Sequence, residues 1–186
     1  LLLDAPLFTN PVDMIKKITN SMPIGYQLLV KEHPAQETRS WRSIETYKEI
    51  INTPGVVPIH PDLKIKEAIK KSSLVITVSS SVALDSLFYE VPSLMFSENT
   101  FSMIPSIGKV SDVRNLGEHI KTMLKTKVEA KHLEKYIQFS EKVSFEFNPQ
   151  GFAQNISDFF HFSGKLVDVD INEEQMMEFL NKEKTG

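Results

Sequence analysis

Apolar residues in this chain fall in short runs separated by amphipathic stretches, the rhythm of β-α-β units around a parallel sheet. Leu1–Leu3 opens the first run. Pro11 suits the first turn of a helix over Pro11–Asn20, which places Val12, Ile15 and Ile18 on one face. Pro23 and Gly25 interrupt it, and Tyr26–Val30 reads as a strand. Ser40 is placed to cap a helix over Trp41–Ile51, where Ile44, Tyr47, Ile50 and Ile51 recur at helical spacing. Pro54 and Gly55 then turn the chain into a short strand, Val56–Ile59. Asp62 is placed to cap a third helix carrying Ile65, Ala68 and Ile69.

Leu74–Val78 is the most strand-like run, apolar on both faces apart from Thr77, as a central parallel strand requires. A helix over Val82–Tyr89 follows after three serines. Pro92 introduces a strand at Ser93–Phe96, and a last short strand ends at Val110. Ser111 or Asp112 begins a helix carrying Val113, Leu116, Ile120 and Met123. Further helices are predicted near Ala130–Phe145 and Gln150–Phe162, and a loosely docked one in the charged tail Asn172–Lys182. The pattern predicts an α/β fold: a doubly wound parallel sheet of five to six strands with additional C-terminal helices. Residues 1–165 form the Rossmann-like domain and 166–186 the charged tail.

Composition narrows this picture without changing it. At 186 residues, 41% hydrophobic and 24% charged, the chain has the make-up of one soluble globular domain. A net charge of −3 argues against a general electrostatic grip on nucleic acid or an anionic membrane. There is no cysteine, which excludes disulfides and thiolate metal sites, and the five histidines include no i,i+4 pair of metal-ligand spacing. No apolar run approaches the roughly 20 residues that span a bilayer. The opening LLLDAPL lacks the basic flank of a signal peptide and reads as a strand cut near its start, as in a fragment. A cytoplasmic, reducing compartment is the expected setting.

Two stretches carry candidate chemistry. In YQLLVKEHP, residues 26–34, an apolar strand ends on Lys31, Glu32, His33 and Pro34. Pro34 biases His33 to extended backbone, so the imidazole projects from the carboxyl edge of the sheet, where ligands of doubly wound sheets bind. Lys31 and Glu32 alternate across the strand end, so one faces the cleft and the other pairs elsewhere. Arg39 offers a second cation for an anionic ligand, whereas Arg42 reads as a solvated helix start. The second stretch is VITVSSSVALDSLFYEVPSLMF, residues 75–96. Ser79, Ser80 and Ser81 fall at the N-cap and first turn of its helix, where free N–H groups and hydroxyls suit an anion. A plain helix cap accounts for the same serines. Asp85, one turn on, is placed to accept from ribose hydroxyls or to complement the helix dipole. His60-Pro61 ends the next strand, but Asp62 already explains that turn. His119, His132 and His161 fall on predicted helices. GxGxxG, GxxxxGK[ST] and GxSxG are all absent.

Taken together, LLVKEHP followed by VITVSSSVALDSLFYEVPSLMF resembles the capsule polysaccharide biosynthesis family of glycosyltransferases, which includes bacterial Kdo transferases. The residues that carry the resemblance are Lys31, His33, Pro34, Arg39, Ser79, Ser80, Ser81, Asp85 and Pro92, within residues 1–125. It implies the C-terminal, donor-binding half of a GT-B enzyme, inverting and metal-independent, with no cofactor and a CMP-linked nucleotide sugar as donor. His33 would contact the donor phosphate, the serine run would hold it, and Asp85 would approach the nucleotide. The glycan or glycolipid acceptor would be bound by an N-terminal half outside this sequence, and the full-length protein would associate peripherally with the inner face of the membrane. Two departures stand out: Asp85-Ser86 replaces the family's usual Glu-Ala, and SENTFSMIP, residues 97–105, carries no glycine. Other readings are a CDP-polyol phosphotransferase of the teichoic-acid type and a non-catalytic domain that kept the fold.

Overall fold

The computed structural model describes residues 10–33, 36 and 42–144. Pro34, Arg39, Leu1–Leu3, Gln150–Phe162, Asn172–Lys182 and the boundary expected at 165/166 lie outside the described residues. The chain divides into two units, Leu1–Ser140 and Glu141–Gly186, and the elements below belong to the first apart from the end of the last helix.

The described part is α/β and its strands are parallel. Asn10 caps the first helix, α1 (Pro11–Ser21), its side-chain oxygen accepting from the N–H groups of Val12 and Asp13, with Pro11 at the first turn. Gly25, at φ +93°, supplies the left-handed turn that leads into β1 (Leu28–Lys31). α2 (Ile44–Ile51) begins later than expected, because Ser43 and not Ser40 is the cap: its hydroxyl accepts from Thr46 N–H. Gly55, at φ +79°, then turns the chain into β2 (Val56–Ile59). The next helix, α3 (Ile65–Ile69), starts after Lys64 with no side-chain cap, so Asp62 does not serve as one. Its N–H is taken instead by His60 Nδ1 at 3.3 Å, in a turn that ends before the helix.

β3 (Val75–Thr77), α4 (Val82–Leu87), β4 (Ser93–Met95) and β5 (Ile107–Lys109) follow. Asp112 caps the single turn Val113–Asn115, which leads into α5 (Leu116–Lys125), and α6 (Ala130–Val143) ends the described chain. SENTFSMIP makes its turn without glycine: Ser102 Oγ accepts from Asn99 N–H and Asn99 O from Ser102 N–H.

Among the described residues, pairing does not establish a single sheet of five to six strands. The described strands form two small sheets, β1-β2 and β3-β4-β5, all parallel. The main core lies where α1 and α5 cover them: Met14 and Ile18 of α1 meet Leu94, Phe96 and Val110 and Leu116, Ile120 and Met123 of α5. Leu28 of β1 and Ile76 of β3 rest on that same cluster.

Gly108 is needed for this packing. A Cβ there would stand 2.7 Å from Met123 Sδ and 3.1 Å from Leu94 Cδ1. Gly108→Val is expected to lower stability by about 2 kcal/mol through overpacking, and Gly108→Ala by less, since Met123 can swing aside. Urea unfolding of both variants checks this, and equal stabilities would show that α5 sits farther from β5.

Candidate functional site

The carboxyl ends of β1 and β3 open on one trough of about 1130 Å³. Lys31, His33, Ser80, Ser81 and Asp85 all line it, so the structure brings the KEHP strand end and the serine run to one surface. Ser79 is not among its lining residues.

Each side chain is positioned by a local cause. His33 is exposed, just past β1, with its N–H donated to Glu32 Oε1 at 3.3 Å and its carbonyl accepting from Gln36 N–H at 2.8 Å. Lys31, half-buried, donates its ammonium to the Pro61 carbonyl, tying the end of β1 to the end of β2. Of the two alternating residues, Glu32 is the one that pairs away from a ligand role. Its carboxylate accepts from Arg42 Nε at 2.9 Å, Arg42 Nη2 at 3.2 Å and the Tyr47 hydroxyl at 3.3 Å. Burial pushes the Glu32 carboxyl up, but the Arg42 hydrogen bonds and charge, with His33 N–H and Tyr47, hold it below its ordinary value. Burial, and then the Glu32 charge, push the Tyr47 phenol up. Arg42 is therefore a paired, half-buried residue and not the solvated helix start that its position suggested.

Across the trough, Ser80 Oγ accepts from Val82 N–H at 3.3 Å, and Ser81 is the residue before α4 but makes no side-chain cap. α4 is six residues long, shorter than Val82–Tyr89, so its dipole contributes little and the hydroxyls carry the polar character of this wall. Ser81 O accepts from Asp85 N–H at 3.0 Å, which places the exposed Asp85 one turn along the same side. Ser86 takes no part: it is fully buried and donates to Ala83 O at 2.9 Å.

Among the described residues, no group of three His, Cys, Asp or Glu is arranged to hold a metal ion, and no helix is long and apolar enough to cross a membrane. Sequence reasoning assigned no role to Lys64, Lys71 or Thr77, which also line the trough. Thr77 carried a signal, as the single polar residue in an otherwise apolar strand. The two lysines carried none, because they reach the trough through the turns at either end of α3.

Comparison with protein-family models, with curated proteins and with solved structures finds no match for this chain.

Proposed function

We propose that this chain is the donor-nucleotide half of a GT-B glycosyltransferase of surface-polysaccharide assembly, its strands belonging to one doubly wound sheet. The observation that carries the reading is the single trough shared by Lys31, His33, Ser80, Ser81 and Asp85. A cation, an imidazole and two hydroxyls on facing walls match a nucleotide phosphate, and a carboxylate one turn farther matches a ribose diol.

His33 contacts the donor phosphate and stabilises the charge that develops on the leaving nucleotide, with Lys31 as supporting cation. Ser80 and Ser81 donate hydroxyls to the phosphate, Ser79 shapes their turn, and Pro34 and Arg39 complete the motif. The donor is a CMP-linked sugar, transferred with inversion and without a metal. The acceptor, a glycan or glycolipid, belongs to an N-terminal half, and the working place is the cytoplasmic face of the membrane.

Calorimetric titration with CMP, UDP and GDP tests this directly. CMP is expected to bind, and His33→Ala to weaken it at least tenfold, the loss of one charge-assisted hydrogen bond of about 1.4 kcal/mol or more. If none of the three binds, or the variant binds CMP as tightly as wild type, the proposal fails. Preference for CDP-glycerol over CMP-linked sugars would move the assignment to a polyol-phosphate transferase.

A further inference from the structure

Glu32 and His33 stand just past β1, whose last rung pairs Lys31 with Ile59. Beyond a ladder's last rung the direction of the chain is set by local bonds. The His33 carbonyl accepts from Gln36 N–H at 2.8 Å, which closes a turn, and the His33 N–H is donated to Glu32 Oε1 at 3.3 Å. A bond of that length fixes little if its carboxylate can swing, so its value depends on what holds Glu32. Arg42 grips both carboxylate oxygens, Nε to Oε2 at 2.9 Å and Nη2 to Oε1 at 3.2 Å, in the side-by-side fork that a guanidinium makes and an ammonium does not. The Tyr47 hydroxyl adds a donor to Oε2 at 3.3 Å. Tyr47 lies in α2 and Arg42 two residues before it, so both donors are set by the start of that helix. The helix is anchored in turn: Ser43 caps it, and Ile50 is buried with Val12 and Ile15 of α1. Among the described ion pairs Glu32–Arg42 is the least exposed, and each of the others has at least one side chain more than half exposed. Solvent and salt therefore weaken it least.

We propose that Glu32, Arg42 and Tyr47 are positioning residues for His33: the fork fixes the Glu32 carboxylate, and the carboxylate fixes the backbone from which the imidazole leaves the strand end. The inference rests on the reading of His33 as the contact to the donor phosphate, and extends that site to the start of α2. Charge supports it. Glu32 itself lines the trough, and an unpaired carboxylate there would repel a phosphate. Paired with Arg42 it adds no net charge, so the site keeps the geometry that Glu32 provides without the repulsion. Arg42 has no need to touch the ligand, and it is absent from the residues that line the trough.

Arg42→Lys keeps the positive charge and cannot make the fork, so it separates geometry from charge. In calorimetric titrations of the full chain with CMP it is expected to weaken binding about fivefold in the wild-type background, and not at all in a His33→Ala background, where nothing is left to position. Equal weakening in both backgrounds would mark a general structural role and overturn the proposal, as would no weakening in either. If His33→Ala alone leaves CMP binding unchanged, the donor-site reading fails instead, and a second measurement without ligand decides the positioning. That measurement follows the His33 amide proton by NMR across acidic pH. An N–H donated to a carboxylate shifts when the carboxylate takes up a proton. Burial pushes the Glu32 carboxyl up, but the Arg42 fork outweighs it, so the step should fall below the ordinary carboxylate value. Arg42→Lys should move the step to higher pH, and Glu32→Gln should abolish it. An amide with no step in the wild type, or one that keeps its step in Glu32→Gln, refutes the proposal whether or not CMP binds.

Discussion

Leu94→Ala is expected to destabilise the protein by about 4 kcal/mol, a large share of the 5–15 kcal/mol that holds a typical domain together. Leu94 is completely buried at the centre of β4, paired to Ile76 on one side and to Gly108 on the other. It packs with Met14 and Ile18 of α1 and with Leu116, Ile120 and Met123 of α5. Truncation there removes the transfer energy of three carbons and leaves a void beside Gly108, which has no side chain to fall into it. Relaxation is restricted, because hydrogen-bonded strands flank the position on both sides. That places the cost in the upper part of the range for buried leucines. Leu29→Ala, at a residue 40% exposed, should cost less than about 1 kcal/mol and serves as the control. The measurement is a urea midpoint at unchanged slope. A loss below about 1 kcal/mol for Leu94→Ala would contradict the packing of β4 against α1 and α5.

The same position shows how far the sequence could be read. Alternation of apolar runs with amphipathic stretches located all five described strands to within two residues or so, because burial on both faces leaves runs such as LVITV unmistakable. It could not say which strand pairs with which, since pairing partners are set by tertiary packing that periodicity does not encode. The KEHP strand end and the serine run were placed together correctly by one rule, that β-α turns of a parallel sheet gather at its carboxyl edge. Which hydroxyls face the trough was not legible, because three identical residues in a turn differ only in backbone angles. Capping failed twice: Ser40 and Ser43 are equivalent by local pattern, and the hydrogen bond from Thr46 N–H decides for Ser43, whereas α3 starts after Lys64 with no side-chain cap at all. Arg42 was misread because its partner, Glu32, sits ten positions back on a strand.

That pair yields the second large effect. Arg42→Met, which keeps the apolar stem and deletes the guanidinium, is expected to destabilise by about 2 kcal/mol at pH 7. The Glu32 side chain is only 16% exposed, so without Arg42 its charge is left, among the described residues, with the Tyr47 hydroxyl and His33 N–H. Adding Glu32→Gln should recover much of the loss, since an amide in that place leaves no unpaired charge. The pH dependence has a definite sign. In the wild type the folded Glu32 carboxyl lies below its unfolded value, so its contribution is present above the ordinary carboxylate range and fades as pH falls through the depressed folded value. In Arg42→Met, burial is no longer offset by the cation and the folded carboxyl rises, so that variant gains relative stability on acidification. The gap between the two proteins should therefore be flat from about pH 6 to 8 and should close below about pH 4. Urea midpoints across that range measure it. A gap that stays constant on acidification would show that Arg42 acts through packing, and that Glu32 takes no fixed charge from it.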